Sequence, residues 1–445
     1  MPQDTHAAEA APCPAAQSGD PLVKSSAVAL AALIASGQAS AREVMTAHLQ
    51  RIAQTEGRIH AFAHLDPDRA LQAAAAADER QAAGEPLGPL HGVPVTIKDW
   101  IEVEGLPCDG GFVEREGFRP RRHATAAARM LAAGAVLIGK TVTRDGAPMY
   151  PRPANPHDLT RAPGASSSGE AAAIAAGCSP LGLGSDSGGS IRLPAHYSGV
   201  AGLKPTQGRV SAAGHFPPIG ALSDPRTTIG PLARSVADLE LALQVIAGPD
   251  GRDPAVQPMP LAASANVDPA GLRIAVVDFA GHGVDAATIA AVHLAGRIAE
   301  AAGARIETAE LPILEESLAV SHVHWAQQRS LSLSRWTPDG RGGLPGAQID
   351  EGLFRWERLQ RQVLAFMGEH DAILCPAAAT AAPIHRPLTA EDYLFTLPFS
   401  LTGQPVAVVP LATSDEGLPI GAQVVAARWR DDVALKIAAL LEVGR

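Results

Sequence analysis

The chain has 445 residues and a formal net charge of −10 with no basic block to offset it locally. It is therefore long enough for a large core, as one big α/β domain or two ordinary ones, and it is not built to neutralise phosphates. The four cysteines, Cys13, Cys108, Cys178 and Cys375, lack CxxC or CxxH spacing, which argues against a disulfide framework or a structural zinc and fits reduced thiols in a cytoplasm. No apolar run reaches the ~18 residues of a membrane span, so neither nucleic acid nor a membrane is expected as a partner. Residues 1–22 have neither a basic n-region nor an apolar core; they read as a disordered or extended tail and not as a signal peptide.

Apolar residues recur at helical spacing in VALAALI and VMTAHLQRI, which predicts two helices over residues 25–52 parted by Gly37. The second opens on Ser40-Ala-Arg-Glu43, a reciprocal capping pair. A third helix is predicted over residues 67–83. After Gly88 the run HGVPVTIKDWIEVEG, rich in β-branched residues, reads as a strand and its exit loop. Helix 125–133, strand AVLIG, helix 167–176 and strand LGLGS follow, then helix 235–246, strand 272–279 and helix 285–302. Residues 311–336 and 353–368 are helical in pattern, and AILCP, PVAVVP and IGAQVVA are strands before a closing helix over 432–441. Helix alternating with strand at this spacing implies an α/β layered sheet. With no repeat and no long linker, residues 23–445 are expected to form a single catalytic domain.

Two serine-bearing turns, PGASSSG and SDSGGS, flank an alanine-rich run inside residues 163–206. A serine hydroxyl needs a base within hydrogen-bond reach to act as a nucleophile near neutral pH. Of the 15 histidines none lies in a turn next to a candidate serine, and neither GxSxG nor SxxK is present. Lysine is scarce, at positions 24, 98, 140, 204 and 436 only. Lys98 ends the apolar strand VPVTIK, where burial would lower its pKa and leave a neutral amine that can act as a base. On the residues alone two readings stay open: Lys98 as a base, or Lys98 paired with Asp99 at the sheet edge. The glycine-serine turns have a bland reading too, as loops, but apolar periodic segments flank both. Gly188-Gly189 before Ser190 suits a turn whose N–H groups converge as an oxyanion hole requires.

GVPVTIKD, PGASSSGEAAAIAAG and GSDSGGSIRLPAHYSGVAGLKPTQGRVS, in that order, resemble the three signature blocks of the amidase signature family. The likeness continues through GPLARSVADLELALQVIAGPD and survives in LTGQPVAVVPL and LPIGAQVV, so it is densest over about residues 90–250 and sparse over the variable region at about 305–400. The resemblance implies a single α/β domain with a mixed central β-sheet covered by helices on both faces. It also implies a Ser-Ser-Lys triad: Lys98 as general base, Ser166 as a bridging serine on a cis peptide, and Ser190 as nucleophile. Ser187, Gly188 and Gly189 would then supply oxyanion-hole donors, and Asp186 and Arg192 would brace the turn. No cofactor and no metal are implied.

Ala165 and Ser168 stand where the family usually has glycine, and Asp145-Gly146 where it more often has Glu and a bulky apolar residue, so Gly146 would widen the cleft. Arg209 and Gln404 are further candidates for the substrate pocket, and Arg161 reads as a local ion pair. His322-Val-His324 has HxH spacing, but on a helix the two rings point to different faces, which argues against a metal site there. Trp325, Trp336, Phe354, Trp356, Tyr393 and Phe399 are packing residues of which some would line the pocket. The expected function is cleavage of the C–N bond of small-molecule amides through an acyl-enzyme, with carbamates and esters open to the same chemistry. The alternatives are an amidase-like subunit of an amidotransferase complex and, disfavoured, a metal-dependent amidohydrolase.

Overall fold

A computed structural model describes residues 19–143, 148–218, 225–334 and 344–445. The first helix among the described residues begins at Pro21, with Asp20 accepting from the Leu22 N–H at 2.9 Å, so Pro21 and Leu22, inside the stretch that composition marks as tail, are helical. Proline at the first helical position and an aspartate cap before it set that start, a local signal that composition does not weigh. The two expected helices are Ala27–Ala35 and Ala41–Ile59. Ser40 and Glu43 form the reciprocal cap, with Ser40 N donating to Glu43 Oε2 at 2.8 Å and Glu43 N donating to Ser40 Oγ at 3.0 Å.

Eleven strands among the described residues form one mixed sheet. In chain order they are β1 (Phe62–Leu65), β2 (Pro94–Lys98), β3 (Val136–Thr141), β4 (Leu181–Asp186), β5 (Ala201–Lys204) and β6 (Thr228–Ala233), followed by β7 (Arg273–Val276), β8 (Arg305–Thr308), β9 (Ala372–Pro376), β10 (Val406–Thr413) and β11 (Pro419–Ala426). Across the sheet the order is β1-β3-β2-β4-β6-β5-β10-β11-β9-β7-β8. Strand β2 runs parallel to both β3 and β4, whereas β4 to β6 and β10 to β11 are antiparallel. All five residues of β2 and all six of β4 are buried, which is why PVTIK and LGLGS read as continuous apolar runs without alternation.

Helices cover the sheet on both faces. One cluster packs Ile34, Met45 and Leu243 against Val95 and Leu181, and another packs Phe279, Val363, Phe395 and Phe399 against Ile373 and Val425. The helix Ser168–Ala175 lies close on β4: a Cβ at Gly182 would collide with the Glu170 carboxylate. Its alanines let it approach the sheet, and its N-terminus then opens beside the C-terminal ends of β2 and β4. Those two parallel strands run in register from Val95 opposite Leu181 to Ile97 opposite Leu183. The end of such a strand pair is where α/β sheets hold ligands, and here it brings Lys98 beside the turn that follows Asp186.

Candidate active site

Lys98 is buried, and its Nζ lies 2.7 Å from Ser166 Oγ, 3.0 Å from Ser167 Oγ and 3.0 Å from Ser185 Oγ. The ring of Trp100 sits 4.5 Å from the same nitrogen. Burial pushes the ammonium down to about 7, against the opposing pull of the Asp186 and Glu170 carboxylates. At the ordinary value only about one such lysine in three thousand would be neutral at pH 7. Glu170, buried behind it, accepts from Thr96 Oγ1 and, at 2.7 Å, from Thr141 Oγ1. Burial raises its carboxyl to about 7, which weakens it as a counter-charge to Lys98.

Ser190 stands across from this group, at 7% exposure, with its Oγ 3.4 Å from the Ser166 N–H. The structure thus brings Lys98, Ser166 and Ser190 together. One expectation is corrected: among the described residues the only cis peptide is Phe216–Pro217, so the peptide bonds of Ser166 are trans. Ser166 Oγ reaches Lys98 from this trans backbone. Ala165 and Ser168 are accommodated without glycine, Ala165 packing with Leu193 and Tyr197. Ser168 Oγ is buried without a hydrogen-bond partner.

The turn Ser187-Gly188-Gly189-Ser190 is held from both sides. Asp186 Oδ2 accepts from Ile191 N at 3.0 Å and from Arg192 Nε at 3.0 Å, and Asp186 Oδ1 accepts from Arg192 Nη2 at 2.9 Å. Burial opposes ionisation of Asp186, but the Arg192 charge and these donors outweigh it and hold the carboxyl below its ordinary range. Arg192 also donates to the Thr396 carbonyl at 2.7 Å and to Ser400 Oγ at 2.6 Å, tying the turn to the C-terminal half. Because breaking a buried pair strands a charge, Asp186→Ala is expected to lower stability by about 3–5 kcal/mol. Urea denaturation checks this, and a loss below about 1 kcal/mol would mean that the turn is braced otherwise.

Thr396 carries no sequence signal as a site residue. Its hydroxyl donates to the Gly188 carbonyl, which turns the opposite edge of that peptide, the Gly189 N–H, away from Thr396. Gly189 has φ +147° and a Cβ there would strike Thr396 Oγ1, so only glycine fits. Among the described residues no protein acceptor takes the N–H of Gly188 or Gly189, which leaves both for a ligand.

Ser166, Ser187, Gly188 and Ser190 open onto a cavity of about 570 Å³ whose other walls are Trp100, His322, Trp325, Leu388, Thr389, Ala390 and Tyr393. Trp325 and Tyr393 meet edge to face with centroids 6.0 Å apart. Arg209 is corrected out of the pocket: all its donors are used internally, on Asp431 at 3.0 and 3.1 Å and on the Met259, Pro260 and Trp429 carbonyls. Gln404 is also buried elsewhere, accepting from Thr402 Oγ1. Gly146, Asp145 and Trp336 lie outside the described residues, as does the side chain of His324. Phe399 is core, Phe354 is exposed, and Trp356 donates to the Leu401 carbonyl. Arg161 pairs with Glu416 at 2.8 Å and Asp158 at 3.5 Å, a local role.

A second cavity, about 360 Å³ around His64, Arg69 and Arg119, shares no residue with the first. Ligand atoms of His64, which lines this cavity, and of the buried Asp99 and Asp109 lie within 4.8 Å of one another. Lys140 Nζ, 3.1 Å from Asp99, already supplies the positive charge, and Tyr150 donates to Asp109 at 2.9 Å.

The chain is similar to known proteins over most of its length. A family model described as Amidase matches residues 43–343 and 347–435. The chain is 36% identical to the A subunit of a glutamyl-tRNA(Gln) amidotransferase from Salinispora arenicola, over 95% of this chain and 97% of the relative. Among solved structures it is similar to a 6-aminohexanoate cyclic dimer hydrolase, at TM-score 0.85 and 26% identity over 96% of this chain and 98% of that one. It is similar also to a bacterial aryl acylamidase, at TM-score 0.84 and 25% identity over 96% and 98% of the two chains.

Proposed function

The chain belongs to the amidase family, and on that premise we propose that it hydrolyses small-molecule amides bearing a flat apolar or aromatic group. Carbamates and esters are open to the same chemistry. Neutral Lys98 takes the Ser166 proton while Ser166 takes that of Ser190, whose Oγ attacks the substrate carbonyl. The oxyanion forms against the N–H groups of Gly188 and Gly189, aimed by Thr396. The proton then returns through Ser166 to the leaving nitrogen, the C–N bond breaks, and water hydrolyses the acyl-enzyme.

The observation that carries the substrate class is the cavity wall. Trp100, Trp325, Tyr393 and Leu388 line it, and among the described lining residues there is neither a carboxylate nor a guanidinium. Glutamine would bring an ammonium and a carboxylate into that space, and leaving such charges unpaired in a partly desolvated site is costly. An aryl or alkyl group instead gains contact with the rings.

A second reading, an amidotransferase component that acts on glutamine with a protein partner, is favoured by the 36% identity to the Salinispora arenicola protein over nearly all of both chains. The purified chain alone is expected to release nitroaniline from 4-nitroacetanilide, and Trp325→Ala to raise KM for it by about tenfold, the worth of one lost aromatic contact. Ammonia release from glutamine without turnover of any anilide, carbamate or ester would overturn this in favour of the second reading.

A further inference from the structure

We propose that His215 is a positioning residue that aims the lone pair of Lys98 at Ser166. The proposal rests on the reading of Lys98 as the base and follows from the donors and acceptors around one nitrogen. A neutral lysine amine has two N–H donors and one lone pair. Three hydroxyls surround it: Ser166 Oγ at 2.7 Å, Ser167 Oγ at 3.0 Å and Ser185 Oγ at 3.0 Å. For the lone pair to face Ser166, the other two hydroxyls must accept from Lys98, and each must send its own proton elsewhere.

Ser167 does so by donating to the Ser185 carbonyl at 3.2 Å. That carbonyl is 3.5 Å from Lys98 Nζ, too far to compete as its main acceptor. Ser185 has its outlet in His215, whose Nε2 lies 2.9 Å from Ser185 Oγ. The direction of that bond is set on the far side of the ring. His215 Nδ1 is 3.0 Å from the Pro217 carbonyl, which can only accept, so in the uncharged form that the proposal assigns to the ring the proton sits on Nδ1 and Nε2 accepts. The hydrogen bonds therefore run in one sense, from Lys98 to Ser185 to His215 to Pro217, and the lone pair is left for Ser166.

The ring is held for this task. His215 is buried and packs edge to face on Trp100 at 5.9 Å, the same indole that lies against Lys98 Nζ. The neighbouring Phe216 N–H donates to the Trp100 carbonyl at 2.7 Å. Without an acceptor at position 215, the Ser185 hydroxyl would be a buried donor whose nearest acceptor is the Lys98 lone pair. It would then compete with Ser166 for the base.

The test is the rate at which a fluorophosphonate labels the chain, read beside kcat and KM on 4-nitroacetanilide. His215→Phe keeps the ring contact and removes the acceptor; labelling rate and kcat are expected to fall roughly 10–100-fold, as for a misaligned catalytic group, with KM little changed. His215→Gln, whose amide oxygen reaches where Nε2 was, is expected to recover most of the loss. Adding Ser185→Ala to His215→Phe deletes the misdirected hydroxyl and is expected to make the double variant faster than His215→Phe alone, which a merely structural role would not produce. Should phenylalanine prevent folding, as circular dichroism would reveal, His215→Ala with and without Ser185→Ala gives the same contrast. A wild-type rate in the position 215 variants, or a double variant no faster than the single, overturns the proposal. Lys98→Ala in parallel separates the two levels: if it stays active, the base assignment fails and this inference with it; if it is inactive while the position 215 variants are unimpaired, only this inference fails.

Discussion

Ser190→Ala is expected to lower kcat by on the order of 10⁴–10⁶-fold, the cost of removing a nucleophile that works as one unit with its base. Ser190 is at 7% exposure, and its Oγ accepts the long 3.4 Å contact from the Ser166 N–H. Deleting one oxygen there leaves no buried charge unpaired and no large void, because the residue borders the cavity. Stability and KM should therefore stay close to wild type. That split matters: a comparable loss in Asp186→Ala would be read through the turn that Asp186 and Arg192 brace, whereas in Ser190→Ala the turn is intact and only the attacking atom is gone. A residual rate within about tenfold of wild type, far above what the oxyanion donors alone sustain, would mean that Ser190 is not the nucleophile.

Lys98→Ala is expected to cost about 10²–10⁴ in kcat at pH 7, the usual worth of a positioned general base, and to change the shape of the pH profile. In the wild type the ammonium form cannot take the Ser166 proton. Activity should thus be low in acid, rise with unit slope through about 7, where burial has brought Lys98, and level off above. The sign is fixed by the base being the deprotonated form; a rate that falls through the same range would contradict it. Lys98→Ala should show no such limb. Lys98→Arg, permanently charged, should stay inactive at every pH where the fold survives, which separates loss of the base from loss of the buried side chain. A substrate without an ionisable group keeps the limb assignable to the enzyme.

The candidate site is legible in the sequence because its pieces follow strand ends and turns that chain order preserves. Lys98 closes a fully buried strand, the serine turn abuts a helix whose alanines press it onto the sheet, and Gly188-Gly189-Ser190 follows the neighbouring parallel strand. What chain order does not preserve is invisible there. Thr396 reaches Gly188 across 208 residues, Arg192 reaches Ser400 across 208, and His215 reaches Ser185 across 30, through side-chain contacts that no spacing announces. Arg209 has the look of a pocket residue because a long cation near a signature block is conspicuous, but its guanidinium is saturated by Asp431, 222 residues away, and by the Met259, Pro260 and Trp429 carbonyls.

The strands β5 and β6 escape pattern reading for a related reason: AGLK and TIGPLA are short, wholly buried and without alternation. The pocket is legible only as a set of aromatic residues in the C-terminal half. Which of them face the serines depends on the cross-chain placement of the helix Leu314–Ser334 and the turn Ala390–Tyr393, and among the described residues of that set Trp325 and Tyr393 do so.

Mapping the site of covalent labelling tests the assignment most directly. A fluorophosphonate reacts by attack of a serine oxygen on phosphorus with loss of fluoride, so peptide mass spectrometry reports which hydroxyl is activated. A single adduct on Ser190, absent in Ser190→Ala and formed far more slowly in Lys98→Ala, is the result expected. An adduct on Ser166 or on any other serine, or labelling that proceeds at the wild-type rate in Lys98→Ala, would contradict the roles given to Lys98, Ser166 and Ser190.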